Sequence, residues 1–378
     1  ARWGLGCDTS PILLNSGKGM TFVGVGKVRQ GSEQLLWNVS TKDGKTRFVQ
    51  TTARTADLTC GTFMNYIGRD TLPSLRLYSY VTSAANGIRG TLVIGGTTKD
   101  RLPVGILKEG IAEYAVYPRA LSVTERMRVE SALALRHGVT LTHSYFNSKG
   151  TVIRNYSRLK SYNHRVAGII NDSTSRLRQT SSASSEGEAV VQLSTKTMAE
   201  GASVLWGDNA KRVAFSSDQG KGKWMQRRWA ATTTGASVTN MVLTFNTHSI
   251  RQLEPLTKGE NYYLAIDRSG TGKFPAGQVG YYKARMERGD SLIFSGLNTD
   301  VGLNFFTLRI ASDFFSTIDM VQPQCSTGAK GLMRVQLTGG KPPYRVTTTL
   351  DSKPAYTLTT PDSVVTIPAL VQGNYVLT

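Results

Sequence analysis

The chain has 378 residues, of which 39% are hydrophobic and 19% charged, and its 45 Lys and Arg against 26 Asp and Glu give a formal net charge of +19. This length predicts two or three domains, and this composition excludes a disordered or collagen-like chain. No apolar run of about 18 or more residues occurs, so we expect no membrane-spanning helix. The first residues also lack the pattern of a signal peptide.

The basic residues are spread along the chain and are not gathered in one tail or helix. A charge of this size attracts polyanions such as nucleic acid or anionic glycans, although a basic, soluble surface would have the same composition. We therefore expect attraction to polyanions, without specific recognition of any one of them.

Short β-rich runs separated by turns fill the first 142 residues. They are Met20–Val25, Gln34–Val39, Thr46–Thr51, Ser74–Val81 and Thr91–Gly95. Their spacing is typical of an all-β sandwich. A strand is predicted at Ile111–Tyr117, and a helix follows it. Ser122 and Glu125 form a capping box, and Gly138 supplies the left-handed stop after His137.

The stretch from Gly110 to Gly138 contains the phrase Tyr-Pro-Arg-Ala-Leu-Ser-Val-Thr-Glu-Arg at 117–126. It resembles the closing segment of bacterial LamG-like (concanavalin A-like) jelly-roll domains. The resemblance implies such a domain over residues 1–142, which is N-terminally incomplete or begins within the fold. That family includes glycan-binding, protein-binding and purely structural members.

Many LamG-like domains carry calcium, so the resemblance also raises the question of a calcium site. Asp57, Asp70 and Asp100 are available as oxygen ligands, but no clustered Asp-x-Asp occurs, and the site stays unassigned. No other cofactor is expected. Cys7 and Cys60 would form a disulfide only in an oxidising compartment, and two unpaired core cysteines are the alternative.

Residues 143–318 are also rich in strand patterns, and the Ser- and Gly-rich stretch Thr180–Glu188 is predicted to be a loop. The predicted strands are Thr151–Arg154, Ala189–Leu193, Ser203–Trp206, Met241–Phe245, Tyr262–Ile266, Ser291–Phe294 and Phe305–Ile310. The phrases at 205–209, 227–229, 263–267 and 305–308 together resemble a β-sandwich module that follows LamG-like domains in large secreted surface proteins of Bacteroidota.

Residues 319–378 carry a Gly-Gly-Lys-Pro-Pro-Tyr turn at 339–344 and the phrase Leu-Val-Gln-Gly-Asn-Tyr at 370–375. These resemble the SprB-type immunoglobulin-like repeat of gliding and adhesion proteins. The copy ends before that family's closing strand and second cysteine, so we expect Cys325 to lack its partner and the protein to continue. The fold class is therefore all-β, with three tandem sandwiches and one helix.

Signatures of catalysis are absent from the sequence. Jelly-roll glycosidases need paired carboxylates on one strand, and their Glu-x-Asp-x-x-Glu phrase does not occur. Glu109 and Glu113 have an even spacing, but they lie in the terminal strand of the family pattern and not in its catalytic strand. Phosphate-binding and serine-nucleophile motifs do not occur. His143, His164 and His248 have no spaced partners and are interpreted as structural. We expect no enzyme activity.

Sugar binding would use exposed aromatic rings, because rings stack on the apolar faces of sugars. The candidates by residue type are Trp37, Tyr78, Tyr80, Trp206 and Trp229. Core packing is the alternative, since alternation places Tyr78 and Tyr80 on one face of a strand. Thr71, Ser173 and Ser363 each follow an aspartate. These phrases resemble the Asp-Ser/Thr-apolar pattern at which Bacteroidota O-glycosylate exported proteins, which would make the three residues O-glycosylation sites.

Together the resemblances imply a non-catalytic, secreted cell-surface protein, an adhesin or gliding-associated fragment exported by the type IX secretion system. Its partners would be glycans or other cell-surface polymers and the type IX machinery. One alternative is the accessory glycan-binding part of a polysaccharide-degrading enzyme. Another is a structural stalk or fibre component.

Overall fold

A computed structural model describes residues 19–27, 34–40, 46–51, 55–57, 62–65, 75–82, 91–94, 105–106, 110–218, 222–247, 254–287, 291–323 and 328–378. Within these ranges the chain is predominantly β, with several sheets and one α-helix, as the all-β fold class predicts. No helix of the described residues is long and apolar enough to cross a membrane.

The first sandwich is built from two sheets. Its strands are β1 (Met20–Lys27), β2 (Gln34–Ser40), β3 (Thr46–Thr51), β4 (Thr55–Asp57), β5 (Thr62–Asn65), β6 (Leu75–Thr82), β7 (Thr91–Ile94), β8 (Gly105–Ile106) and β9 (Ile111–Tyr117). One sheet has the order β5-β6-β1-β9, and the other has the order β4-β3-β2-β7 with β8 parallel to β2. Phe22, Trp37 and Tyr80 lie in the core between them.

The helix α1 (Val123–His137) has the predicted ends. The Ser122 hydroxyl accepts from the Glu125 amide, the Glu125 carboxylate accepts from the Ser122 amide, and Gly138 has a φ of 64°. Because β1 alternates, Val23 and Val25 face away from the sandwich core and pack with the apolar side of α1. The same hydrophobic cluster includes Leu205 of the second sandwich, so α1 lies between two sandwiches.

The second sandwich contains the largest sheet of the described residues, which has nine strands. Its strands are β10 (Tyr145–Phe146), β11 (Val152–Arg154), β12 (His164–Asp172), β13 (Leu177–Gln179), β14 (Ser181–Ala183), β15 (Val191–Ser194), β16 (Ser203–Asp208), β17 (Phe215–Asp218), β18 (Gly222–Met225), β19 (Trp229–Thr234), β20 (Val238–Asn246), β21 (Glu260–Asp267), β22 (Val279–Lys283), β23 (Arg285–Glu287), β24 (Ser291–Thr299) and β25 (Gly302–Ser312). A 3-10 turn covers Lys160–Tyr162.

A nine-stranded sheet faces a five-stranded sheet in this sandwich. The larger sheet has the order β13-β12-β16-β19-β25-β18-β17, with β21 pairing β25 and β22 pairing β21. The smaller sheet has the order β14-β15-β20-β24-β23. Their facing sides form the largest hydrophobic cluster, around Trp206, Trp229 and Phe245.

The predicted loop Thr180–Glu188 is wrong at Ser181–Ala183, where the structure has the edge strand β14. Ser182 lies opposite Leu193 of β15 and is buried, and its hydroxyl accepts from Gln179. Small polar residues resemble a loop in sequence, but here the neighbouring strand β15 supplies the hydrogen-bond partners that keep them extended.

The third sandwich has two three-stranded sheets, β26-β27-β30 and β29-β28-β31. Its strands are β26 (Phe315–Val321), β27 (Gly331–Thr338), β28 (Tyr344–Leu350), β29 (Lys353–Thr360), β30 (Val364–Leu370) and β31 (Tyr375–Leu377). Alternate residues of β27, namely Met333, Val335 and Leu337, are buried in its core. The strand β26 spans the predicted boundary at residue 318 and pairs with β27.

Candidate functional site at the joint between the second and third sandwiches

The second and third sandwiches are joined without a linker. Only Asp313 and Phe314 separate β25, in the nine-stranded sheet, from β26, in the third sandwich. Alternation along β25 places Leu308 and Ile310 in the core of the second sandwich and Arg309 on the opposite face. This opposite face meets β26, and we call the contact region the joint.

Arg309 lies at the centre of the joint and is only 4% exposed. Its guanidinium carbon lies 4.2 Å from the ring centroid of Phe315 and 5.0 Å from that of Trp224, within cation–π range. Its Nη1 donates to the Thr317 hydroxyl at 2.9 Å and to the Tyr281 hydroxyl at 3.3 Å, whereas its buried Nε has no hydrogen-bond partner. Burial lowers the pKa of Arg309.

Aromatic rings and a second arginine continue from Arg309 across the second sandwich. The ring centroids of Trp224 and Phe274 lie 5.4 Å apart, and the Arg228 guanidinium lies 5.1 Å from the Phe274 centroid. Arg228 also donates to the carbonyl of Gly272 at 3.0 Å, which holds it over the ring. Two cations and three rings therefore follow one another over part of this face, and the series ends on Phe315 of the third sandwich.

Two tyrosines of the second sandwich pack around Phe315. The rings of Tyr263 and Tyr281 meet the Phe315 ring edge-on, with centroids 5.2 Å and 5.0 Å away. The Asp313 carboxylate accepts from Tyr263 at 3.2 Å and from Lys283 at 2.7 Å. Lys283 holds the pKa of Asp313 below its usual range, while burial raises the pKa of Tyr263 to about 12.

A loop of the second sandwich makes the remaining contacts of the joint. Asp267, at the end of β21, accepts from the amides of Ser269 and Phe274 and so fixes the start of this loop. The Gly277 amide then donates to Gln336 Oε1 at 2.9 Å, and Gln336 Nε2 donates to the Val279 carbonyl at 2.7 Å. Backbone groups of the second sandwich are thus bonded to a β27 side chain.

The contacts around α1 also include charged side chains. Glu113 of β9 pairs with Arg136 and with His137, whose Nε2 lies 2.9 Å from its carboxylate. The fully buried Glu130 accepts from Arg126 at 2.7 Å and contacts His143 Nε2 at 2.9 Å.

The other ring nitrogen of His143, Nδ1, lies 2.7 Å from the Ser144 carbonyl. Both ring nitrogens of His143 therefore have partners, which fits the structural role predicted for this histidine.

A second buried arginine, Arg154, also has an Nε without a hydrogen-bond partner. Arg154 is 1% exposed, and its two terminal nitrogens donate to the carbonyls of Tyr162, Leu205 and Ala230 at 2.7–3.3 Å. Burial lowers the pKa of Arg154 to about 10. Backbone carbonyls from two strands and the 3-10 turn surround this side chain, so it acts as an internal clamp.

The five aromatic residues predicted for sugar stacking are all in cores. Each is at most 3% exposed: Trp37, Tyr78, Tyr80, Trp206 and Trp229. The first three lie in the core of the first sandwich and the last two in that of the second. Core packing, the alternative interpretation, is confirmed. The stacking prediction is wrong for these rings because no face of them is open to a ligand.

Some of the other predicted site residues are described by the structure, and the rest lie outside the described residues. Ser173 and Ser363 are exposed, and the Ser173 hydroxyl donates to Glu200 at 2.8 Å. Asp57 lies in β4, but its side chain is not among those that the structure describes. Outside the described residues are Cys7, Cys60, Thr71, Asp70, Asp100, Glu109, His248 and Cys325. Among described residues, no three His, Cys, Asp or Glu gather around a point that could hold a metal ion.

Sequence reasoning missed Arg309, although a signal was present. In β25 the outward positions Phe305, Thr307 and Arg309 alternate with core residues. An arginine inside a long apolar strand needs a partner on its own face. That face could have been identified as a contact surface from this one position.

Comparisons with known proteins identify no function for the chain. Residues 125–301 match the model of a family described as a Domain of unknown function (DUF8202). No curated protein and no solved structure matches. The matched segment begins in the first turn of α1 and ends between β24 and β25, so it covers a little under half of the chain.

Proposed function

We propose that this chain is a non-catalytic, multi-sandwich arm of a secreted cell-surface protein. Its role is to hold successive sandwiches in a fixed arrangement, as a structural stalk does within an adhesin. The resemblances of residues 110–138, 205–308 and 339–375 to surface-protein modules support an extracellular location, type IX export and cell-surface polymers such as glycans as partners.

The observation that carries the proposal is the packing across the joint. Phe315 of the third sandwich is 8% exposed because Tyr263, Tyr281 and Arg309 of the second sandwich surround it. Domains that move independently are normally connected by exposed, polar linkers. Here two residues connect the sandwiches, and buried rings from both sides fill the contact.

Packing at α1 supports the same role. The hydrophobic cluster that holds Leu133 and Leu135 of α1 includes Val23 of the first sandwich and Val166 of the second. A helix whose apolar side is shared in this way restrains both neighbours. Together, the two contacts favour a chain whose three sandwiches keep fixed positions relative to one another and transmit force from one to the next.

Small-angle X-ray scattering of the chain in solution tests this proposal. We expect the profile to fit a single arrangement of the second and third sandwiches. Tyr281→Ala, which removes a packed ring from the joint, should broaden the distribution of arrangements that fits the profile. Tyr356→Ala, on the far sheet of the third sandwich, is the matched control. A wild-type profile that needs independently moving sandwiches would overturn the proposal.

Location is tested on intact cells that carry the gene. We expect external protease to remove the protein while a cytoplasmic marker survives. Protection of the protein until the cells are lysed would contradict the cell-surface part of the proposal.

A further inference from the structure

We infer that the third sandwich binds an extended segment of a partner protein, which adds one β-strand beside β31 and covers the core at β26. The inference goes beyond the proposed function, because a fixed arrangement of sandwiches needs no such partner. Its starting point is the distribution of exposed apolar side chains. Among the described residues eleven large hydrophobic side chains are exposed, and seven of them belong to this small domain or its connection: Phe314, Ile318, Met320, Val321, Val364, Val371 and Val376. Apolar surface gathered in this way marks an interaction surface.

Two of these side chains lie on the core face of their sheet and are nevertheless exposed. Ile318 of β26 is directly opposite Val335 of β27. Met320 is opposite Met333 in the same ladder. Directly opposite residues share one face of a sheet, and both β27 residues are buried in the core. Because Ile318 and Met320 are 37% and 44% exposed, the core is uncovered at β26.

The facing sheet does not extend over β26. Its order is β29-β28-β31, and it packs on β26-β27-β30. Only residues 361–363 connect β29 to β30, so β29 lies on the β30 side and β31 is the edge nearer to β26. Tyr375 and Leu377 of β31 pack against the core. A strand added beside β31 would therefore lie over Ile318 and Met320.

The edge of β31 also presents backbone hydrogen-bonding groups. The Thr378 amide donates to the Thr347 carbonyl and the Thr347 amide donates to the Thr378 carbonyl, both at 2.8 Å. Bonded and non-bonded pairs alternate along an antiparallel ladder, so the amide and carbonyl of Leu377 point away from β28. A backbone edge beside an uncovered apolar row is the combination that strand addition uses. Main-chain bonds supply affinity, and alternate side chains of the added strand cover the row.

A strand without a sheet of its own fits this edge better than a second copy of the domain. The stacking places β27 under β31 and β26 under the added strand. An antiparallel twofold pair of β31 strands would put β26 of one copy where β27 of the other lies. The partner segment therefore comes from a different chain and has apolar side chains at alternate positions. Its length matches β26 and β28, which have seven residues each.

Titration calorimetry of the whole chain with a synthetic peptide tests the inference. The probe is a capped seven-residue peptide with three valines at alternate positions, threonine between them and glutamate at both ends. The control peptide has proline in place of the central valine, which removes a backbone donor. We expect the probe to bind, and the control to bind at least tenfold more weakly.

Two variants of β26 place the peptide on the core face. Met320→Asp should lower the affinity for the probe at least tenfold, because it puts a charge under the added strand. Val321→Asp is the matched control, since Val321 is exposed on the opposite face of the same strand and its loss should leave the affinity unchanged. Equal losses in the two variants would overturn the inference.

Amide hydrogen exchange and sedimentation velocity identify any other occupant. The Leu377 amide should exchange fast in the free chain and slowly with the probe bound. Slow exchange in a free monomer would show that the chain itself covers this edge, and a dimer that Met320→Asp dissociates would assign it to a second copy. Either result, or no binding of the probe to the folded chain, overturns the inference. The proposed arm is tested separately, because the joint lies on the opposite face of β26 and scattering needs no peptide.

Discussion

Gly207 lies directly beneath the guanidinium of Arg154. A Cβ atom at position 207 would lie 2.9 Å from Nη2 of Arg154 and 2.5 Å from the Tyr162 carbonyl oxygen. That oxygen is itself the acceptor of the shortest Arg154 hydrogen bond, at 2.7 Å. Because Gly207 has no side chain, the 3-10 turn and β11 can pack close to β16 with Arg154 between them.

Gly207→Ala should destabilise the second sandwich by about 3 kcal/mol, near the upper end for overpacking, because the added methyl meets backbone that cannot move alone. Chemical denaturation followed by circular dichroism measures this change. Gly296→Ala is the control: its φ is +71° and nothing lies within 4 Å of the added Cβ, so only backbone strain of about 1 kcal/mol is expected. Equal effects of the two substitutions would show that the close approach at 207 is unimportant.

The buried pair Arg126–Glu130 should behave as a unit. Glu130→Leu leaves Arg126 without its carboxylate in a buried position, and we expect a loss of about 3–5 kcal/mol. The double variant Arg126→Met with Glu130→Leu should recover much of that loss, since it removes both charges. Denaturation midpoints of the single and double variants give the coupling free energy. Strictly additive losses would contradict an interaction between the two side chains.

The start of α1 should make the free energy of unfolding depend on pH below about 4.5. The hydrogen bond from Arg119, with help from the Ser122 amide, lowers the pKa of Glu125 to about 2. Because the folded pKa is below the unfolded one, the stabilisation is complete above about 4.5 and is lost as pH falls towards 2. Melting temperatures of wild type and Glu125→Gln should therefore converge in that window. A constant difference from pH 6 to pH 2 would rule out this contribution.

Strand and cap positions followed from the sequence because local patterns determine them. In the second sandwich, strand patterns predicted β11, β15, β16, β20, β21, β24 and β25 but not β12, β18 or β19. The Ser122, Glu125 and Gly138 signals placed both ends of α1. These features depend on neighbours within a few residues. Partners far along the chain do not alter them.

The candidate site depends on long-range pairing and was therefore missed. Trp224, Arg309 and Phe315 meet only because β18 pairs with β25 and because β26 folds back over the opposite face. Conversely, the aromatic residues chosen for their type, such as Trp206, lie in cores. Residue type alone does not distinguish an exposed ring from a packed one, since both occupy the same alternating positions.

The last prediction concerns coupling across the joint. Phe315 packs against Tyr263, Tyr281 and Arg309, so Phe315→Ala should remove about 3–5 kcal/mol of packing from the contact between the sandwiches. Differential scanning calorimetry should then show the third sandwich unfolding at a lower temperature than the second, whereas the wild-type pair unfolds together.

Phe314 offers a matched control one residue away. It is 51% exposed and stacks only on Tyr344 within the described residues, so Phe314→Ala should leave the shared transition in place. If Phe314→Ala and Phe315→Ala separate the transitions equally, the coupling comes from the short connection and not from the packed ring. If neither does, the two sandwiches are held together chiefly by the hydrogen bonds between Gln336 and the loop that contains Gly277.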